Sequence, residues 1–180
     1  MRYTNFEKEF KEKISKIKLI CMDVDGVLTD GGIYLDHNGN QIIRFDVKDG
    51  LGIRLLQKYN YKIAFISGGD RSAINKRAEM LNIKIVKTKI KNKFTALKEI
   101  QKEHNITKNE TVFLGDDIND LTVISLVNMF LTPSNAHKAC IASAFWVGNN
   151  AGGHGFVREF TDKLLIARGI NPLKAFNNIN

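Results

Sequence analysis

Acidic residues beside glycine recur at three separated places in the chain: Asp23-Val24-Asp25-Gly26, Ser67-Gly68-Gly69-Asp70, and Gly115-Asp116-Asp117 with Asp120 just beyond; Lys93 stands alone before the last. Carboxylates gathered at one edge repel one another unless a cation neutralises them, and a set of hard oxygen ligands favours Mg2+. Magnesium shields phosphate oxygens, while the Ser67 hydroxyl, the amides of Gly68 and Gly69 and the Lys93 ammonium suit the remaining phosphoryl charge. An aspartate can attack phosphorus to give an acyl phosphate, and a neighbouring acid can protonate the leaving oxygen and then activate water. Asp23 and Asp25 fit those two roles. An EF-hand loop is excluded, because Val27 and Leu28 occupy positions where an oxygen ligand and the turn glycine belong, and no glutamate closes the loop.

These residues act together only if the fold brings them together. Lys18–Asp23, Lys62–Ile66, Lys84–Val86, Thr111–Leu114, Met129–Leu131 and Phe145–Val147 read as short strands. Helical spacing marks Asn5–Ile17, Asp49–Tyr59 with Asp49 as N-cap, Arg71–Leu81, Asn92–His104, Asp117–Leu126 and Phe156–Arg168. That alternation predicts an α/β fold, a doubly wound and mostly parallel sheet with helices on both faces. Ligands of such sheets sit beyond the carboxyl ends of the strands, where the acidic motifs fall. Between the first strand and the next helix, segments Ile33–Leu35 and Gln41–Phe45 flank His37-Asn38-Gly39-Asn40, so a small β-hairpin flap over about residues 32–46 is expected. The 180 residues read as one domain, closing in a loop and helix over about 150–180.

DVDGVLTDGG at Asp23–Gly32, SGG at Ser67, Lys93 and GDDIND at Gly115–Asp120 resemble, in order and spacing, the motifs of the haloacid dehalogenase-like phosphatases. KDGLGI at Lys48–Ile53 and NAGGHGFVRE at Asn150–Glu159 are similar, more narrowly, to phosphatases of 3-deoxy-D-manno-octulosonate 8-phosphate and of nonulosonate 9-phosphates. The resemblance implies that Asp23 is nucleophile and metal ligand, that Asp25 is general acid/base with its carbonyl on the metal, and that Asp116 is the third ligand. It implies that Ser67, Gly68 and Lys93 hold the phosphoryl group, that Asp120 orients Lys93, and that Asp117 supports the ligands from behind. Many octulosonate phosphatases carry Thr-Gly-Arg where this chain has Ser67-Gly68-Gly69, and Gln-Gly where it has Thr88-Lys89. The cation that meets the sugar acid's carboxylate is therefore open among Lys48, Arg44, Arg71 and Lys89, and Lys48 is expected among the substrate-binding residues.

The flap leaves no room for a cap domain, and the resemblance implies a homotetramer in which one subunit's hairpin borders the next subunit's site. The expected substrate is a phosphorylated sugar acid, first 3-deoxy-D-manno-octulosonate 8-phosphate, a lipopolysaccharide precursor, and alternatively a sialic-acid-like nonulosonate 9-phosphate. A non-catalytic scaffold of the same fold is the rival from another class, and it would have no need to keep Asp23 and Lys93. A signalling receiver would place its acceptor aspartate after a later strand, where Ser67 and Lys87 stand instead. The formal charge of +8 is concentrated between Lys84 and Lys102, with Phe94 the only ring there. It reads as a solvated lysine-rich face, not a nucleic-acid surface. Cys21 and Cys140 are far apart in sequence and read as buried thiols of a cytoplasmic protein, and no run is long enough to span a membrane. His154 reads as a structural histidine in a glycine loop, and Trp146 as core.

Overall fold

A computed structural model describes residues 2–69 and 72–177, with side chains from Asn5 onward; Asp70 and Arg71 lie outside the described residues. Six parallel strands form the main sheet: β1 (Leu19–Met22), β4 (Lys62–Ile66), β5 (Ile85–Lys87), β6 (Thr111–Leu114), β7 (Met129–Thr132) and β8 (Trp146–Val147), in the order β5-β4-β1-β6-β7-β8. The chain builds outward from β1 on one side, then returns to β1's other edge with β6. The direction of winding therefore reverses beside β1, and the crevice this opens lies at the carboxyl ends of β4, β1 and β6.

Strand residues alternate between two cores. Ile20, Met22, Ile63, Phe65, Val112 and Leu114 face helices α1 (Arg2–Ser15), α2 (Val47–Lys58), α3 (Ser72–Met80), α6 (Phe156–Ala167) and α7 (Pro172–Asn177). Leu19, Cys21, Ala64, Ile66 and Phe113 face α4 (Lys93–Glu103) and α5 (Lys138–Ser143). Burial on both faces is why these strands read as continuous apolar runs.

Three expectations are corrected. The N-cap of α2 is Asp46, whose carboxylate accepts from the Lys48 amide at 2.6 Å, and not Asp49, which lies buried in the first turn. The segment expected to be an α-helix over Asp117–Leu126 is a 3-10 helix over Asp120–Leu126. Leu121, Ile124 and Val127 recur every three residues, and the β-branched run Thr122-Val123-Ile124 disfavours the α form. The hairpin strands are only β2 (Tyr34–Leu35) and β3 (Gln41–Ile42), because the Asp36 carboxylate accepts from the amides of Asn38 and Asn40 and rounds off the turn.

Candidate active site

Asp23 and Asp25 follow β1, Ser67 follows β4, and Gly115-Asp116-Asp117 follow β6, so three neighbouring strands deliver their next residues to one cleft. The cleft has a volume of about 280 Å³ and is lined by Asp23, Asp25, Gly26, Gly31, Gly68, Gly69, Lys93, Asp116, Asp117 and Asn119. A larger groove of about 790 Å³ beside Phe6, Trp146 and Lys163 gathers no comparable set of groups.

Asn92 caps α4 by accepting from the Thr95 amide at 3.1 Å, which fixes Lys93 as the first helical residue, pointing into the cleft. Its ammonium lies 2.8 Å from Asp23 Oδ2 and 2.6 Å from Asp120 Oδ1, and all three residues are buried. Burial opposes the charge on Lys93, but the two carboxylates outweigh it and raise its pKa. Asp120 Oδ2 accepts from the amides of Asp116 and Asp117 at 3.0 and 3.2 Å. Both Asp120 oxygens are thus engaged, one holding Lys93 and the other shaping the loop that carries Asp116.

Asp23, Asp116 and Asp120 each bring a carboxylate oxygen within 4.8 Å of the others. Burial pushes Asp23 up to about 7, with the nearby Asp120 charge adding to it. Asp116 likewise rises to about 7 through burial and the charges of Asp23 and Asp120. Asp116 Oδ1 is buried with no hydrogen-bond partner. Crowded acids held away from water, one with an orphaned oxygen, are suited to a divalent cation, which would supply the missing counter-charge. Both oxygens of Asp23 are engaged as well, by the Val24 amide at 2.7 Å and by Lys93, so Asp116 is the one of the three with an unpartnered oxygen to offer an ion.

Behind the site, Gly152 and Gly153 pack on the loop after Asp25. A β-carbon on Gly152 would stand 1.7 Å from the Gly26 carbonyl oxygen, and the Gly153 amide donates to the Val27 carbonyl at 3.0 Å. The Thr29 hydroxyl accepts from the amides of Gly26 and Gly31, each at 3.2 Å. The Ser67 hydroxyl accepts from the Gly69 amide at 3.0 Å and donates a long bond, 3.4 Å, to Asp25.

Asp23, Asp25, Gly68, Lys93, Asp116 and Asp117 therefore share one cleft, with Ser67 and Asp120 directly behind its wall. Lys48 is exposed on the first turn of α2 and does not line the cleft. His154 is exposed, its Nδ1 3.4 Å from Arg44, and Trp146 is half-buried with its ring stacked 6.0 Å from Phe156. Gly31 and Asn119 also line the cleft; both sit inside the quoted motifs, the only sign of them in the sequence.

A parallel sheet whose acidic strand ends meet a buried lysine defines a class, the haloacid dehalogenase-like hydrolases, and the model of that family matches residues 54–160. The chain belongs to this family and is a phosphoric monoester hydrolase. It is 36% identical, over 87% of its own length and 84% of the relative's, to the 3-deoxy-D-manno-octulosonate 8-phosphate phosphatase of Salmonella typhi. The Moraxella catarrhalis phosphatase of that name, solved with magnesium, phosphate and KDO, superposes with a TM-score of 0.88 at 31% identity, covering 96% of this chain and 98% of the other. The cobalt-bound Haemophilus influenzae phosphatase gives a TM-score of 0.84 at 34% identity, over 87% of this chain and 92% of the other.

Proposed function

We propose that the chain is a magnesium-dependent phosphatase that hydrolyses 3-deoxy-D-manno-octulosonate 8-phosphate to the free sugar acid and phosphate. The observation that carries the reading is the buried Asp23–Lys93–Asp120 array at the end of β1 beside the unpartnered oxygen of Asp116. Relatives similar along most of the chain bear that activity in their names, and one is solved with magnesium, phosphate and the sugar acid.

Asp23, Asp116 and the Asp25 carbonyl would hold the magnesium, which when bound neutralises charge on the phosphate oxygens. Lys93, Ser67 and the Gly68 amide hold the remaining phosphoryl oxygens, and exposed Lys48 meets the substrate outside the cleft. An Asp23 carboxylate oxygen attacks phosphorus as the ester P–O bond breaks, and the Asp25 carboxyl gives its proton to the departing sugar oxygen. Asp25, now ionised, takes a proton from water; the resulting hydroxide attacks phosphorus, breaks its bond to Asp23 and restores the carboxylate. Asp120 and Asp117 touch neither bond: Asp120 keeps Lys93 aimed at Asp23, and Asp117 braces the Asp116 loop.

Exposed Ile33, Leu35 and Ile42 support placing the hairpin at a neighbouring copy's site in a homotetramer. Free buried thiols at Cys21 and Cys140 suit the cytoplasm. Among the described residues no helix is long and apolar enough to cross a membrane.

Phosphate release from a panel of sugar phosphates with magnesium tests the function. The octulosonate ester should be the best substrate, and Asp23→Ala should lower its turnover by at least about a thousandfold. Equal release by the variant removes Asp23 from the mechanism, and preference for a nonulosonate 9-phosphate reassigns the substrate.

A further inference from the structure

Each backbone polar group of Gly115 and Asp116 is bonded. The Gly115 amide donates to the Leu131 carbonyl at 3.1 Å, and the His137 amide donates to the Asp116 carbonyl at 2.8 Å. Between them lies the peptide that joins the two residues, and two side chains grip it from opposite ends. Its N–H donates to Asp120 Oδ2 at 3.0 Å, and its carbonyl accepts from the Thr132 hydroxyl at 2.7 Å. Thr132 is the last residue of β7, fully buried in a strand that is otherwise Met129-Phe130-Leu131. A hydroxyl buried among apolar neighbours costs free energy unless it is bonded, and valine would fill the same space without that demand. Glycine stands at 115 because a β-carbon there would come within 2.6 Å of the Asp120 β-carbon, and a glycine lets the peptide after it turn freely unless something holds it.

The segment after β7 is itself tied down. The Ser134 amide donates to the Asn150 carbonyl at 3.1 Å, and Asn135 Oδ1 accepts from the Gly152 amide at 3.0 Å, in the glycine loop that packs on Gly26. Thr132 thus fastens the loop of Asp116 to the framework that also backs the loop of Asp25. Without its hydroxyl, the buried Gly115 carbonyl loses its donor, and the peptide can swing about the glycine, taking the β-carbon of Asp116 and its unpartnered Oδ1 with it. We infer that Thr132 is a positioning residue for the metal: its hydroxyl fixes the direction in which Asp116 offers an oxygen to magnesium, an inference that rests on the site proposed above.

The test follows the melting temperature of the full chain, freed of metal by chelator and dialysis, as magnesium is added to the wild type, T132V, T132S and T111V. Thr111, at the other end of the sheet in β6, is equally buried and its hydroxyl donates to the Thr107 carbonyl at 2.8 Å, so T111V loses a comparable bond remote from the cleft. In T132V the rise in melting temperature should set in at about tenfold higher magnesium, and half-maximal hydrolysis of p-nitrophenyl phosphate should need about tenfold more of the ion, with T132S restoring both. T111V should melt below the wild type, with the onset of the magnesium response in place. A wild-type onset in T132V makes Thr132 merely structural, whatever its melting temperature, and overturns the inference. An onset moved as far in T111V, or one that T132S leaves displaced, overturns it too. Should T132V not fold, T132A removes the same hydroxyl and is read in its place. Wild-type protein whose melt ignores magnesium overturns the proposed metal site, and the inference with it.

Discussion

Gly26 has a φ of +81°, and a β-carbon built on it would stand 2.0 Å from Asp116 Oδ2. The missing side chain is what lets two strand ends bring their carboxylates together, so Gly26→Ala both strains the backbone and drives Asp116 aside. Its effect should fall on the metal before it falls on the fold. Magnesium at about a hundred times its Kd should raise the wild-type melting temperature by roughly 5–10 °C through mass action. In Gly26→Ala that rise should shrink to near zero, and activity should fall about 100-fold, as measured by thermal melts with and without chelator and by phosphate release. A full magnesium response in the variant would separate Asp116 from the ion. Most of this site was legible in the sequence, because residues that end parallel strands share one edge and aspartates beside glycines were already conspicuous there. The pairing of Lys93 with both Asp23 and Asp120 was not legible from spacing alone: 70 residues separate Lys93 from Asp23, and only the neighbouring places of β4, β1 and β6 close that gap.

The glycine loop behind the site is held by carboxylates that do no chemistry. Glu159 accepts from the amides of Asn149 and Asn150 at 3.0 and 2.9 Å, and Asp49, buried in α2, accepts from the Arg158 amide at the start of α6 at 2.9 Å. Gly52 lets the two helices approach closely, since its β-carbon would meet Thr161 Oγ1 at 2.9 Å. Burial pushes Asp49 up to about 6, although backbone amides at the head of α6 pull it down. The folded chain therefore holds a proton at Asp49 that the unfolded chain has released between about pH 4 and 6. The contribution of this carboxyl is fully present below that window, declines as pH rises through it, and is level above. Asp49→Asn cannot titrate, so wild-type stability relative to the variant should fall by up to about 3 kcal/mol from pH 4 to pH 7, read by urea unfolding at each pH. A pH-independent difference would show that the helix amides hold Asp49 ionised. The sequence suggested an N-cap near here, but Asp46 and Asp49 are three residues apart, and one-dimensional spacing does not say which of them faces α6. Helices α5 and α7, six residues each, were missed for a related reason: neither is long enough to show a helical period.

At the scale of the whole molecule, the sheet supplies the floor and walls of the site but no roof. The strand runs and their alternation with helices made the sheet readable, since parallel strands must be covered on both faces. The order β5-β4-β1-β6-β7-β8 was not readable, because each strand's neighbours are fixed by packing and not by its own residues. The hairpin follows the loop after β1, with Ile33, Leu35 and Ile42 exposed at 66%, 62% and 57%. The register pairs Tyr34 with Ile42 and Leu35 with Gln41, so exposed apolar side chains stand on both faces of the projection, and the proposed homotetramer would give them a core to join. Burial of these residues against a neighbour would also shield the acyl phosphate from bulk water and strengthen every charge interaction in the cleft. Leu35→Lys combined with Ile42→Lys places a charge on each face of the hairpin, whichever face meets the neighbour, while leaving both cores and the acidic cleft untouched. Light scattering should show the wild type as a tetramer and the double variant as smaller species with an unchanged melt at low concentration. Turnover of the sugar acid ester should fall more than that of the nitrophenyl ester, because the larger substrate depends more on the missing roof. A monomeric wild type with full activity would leave the hairpin to cover its own cleft.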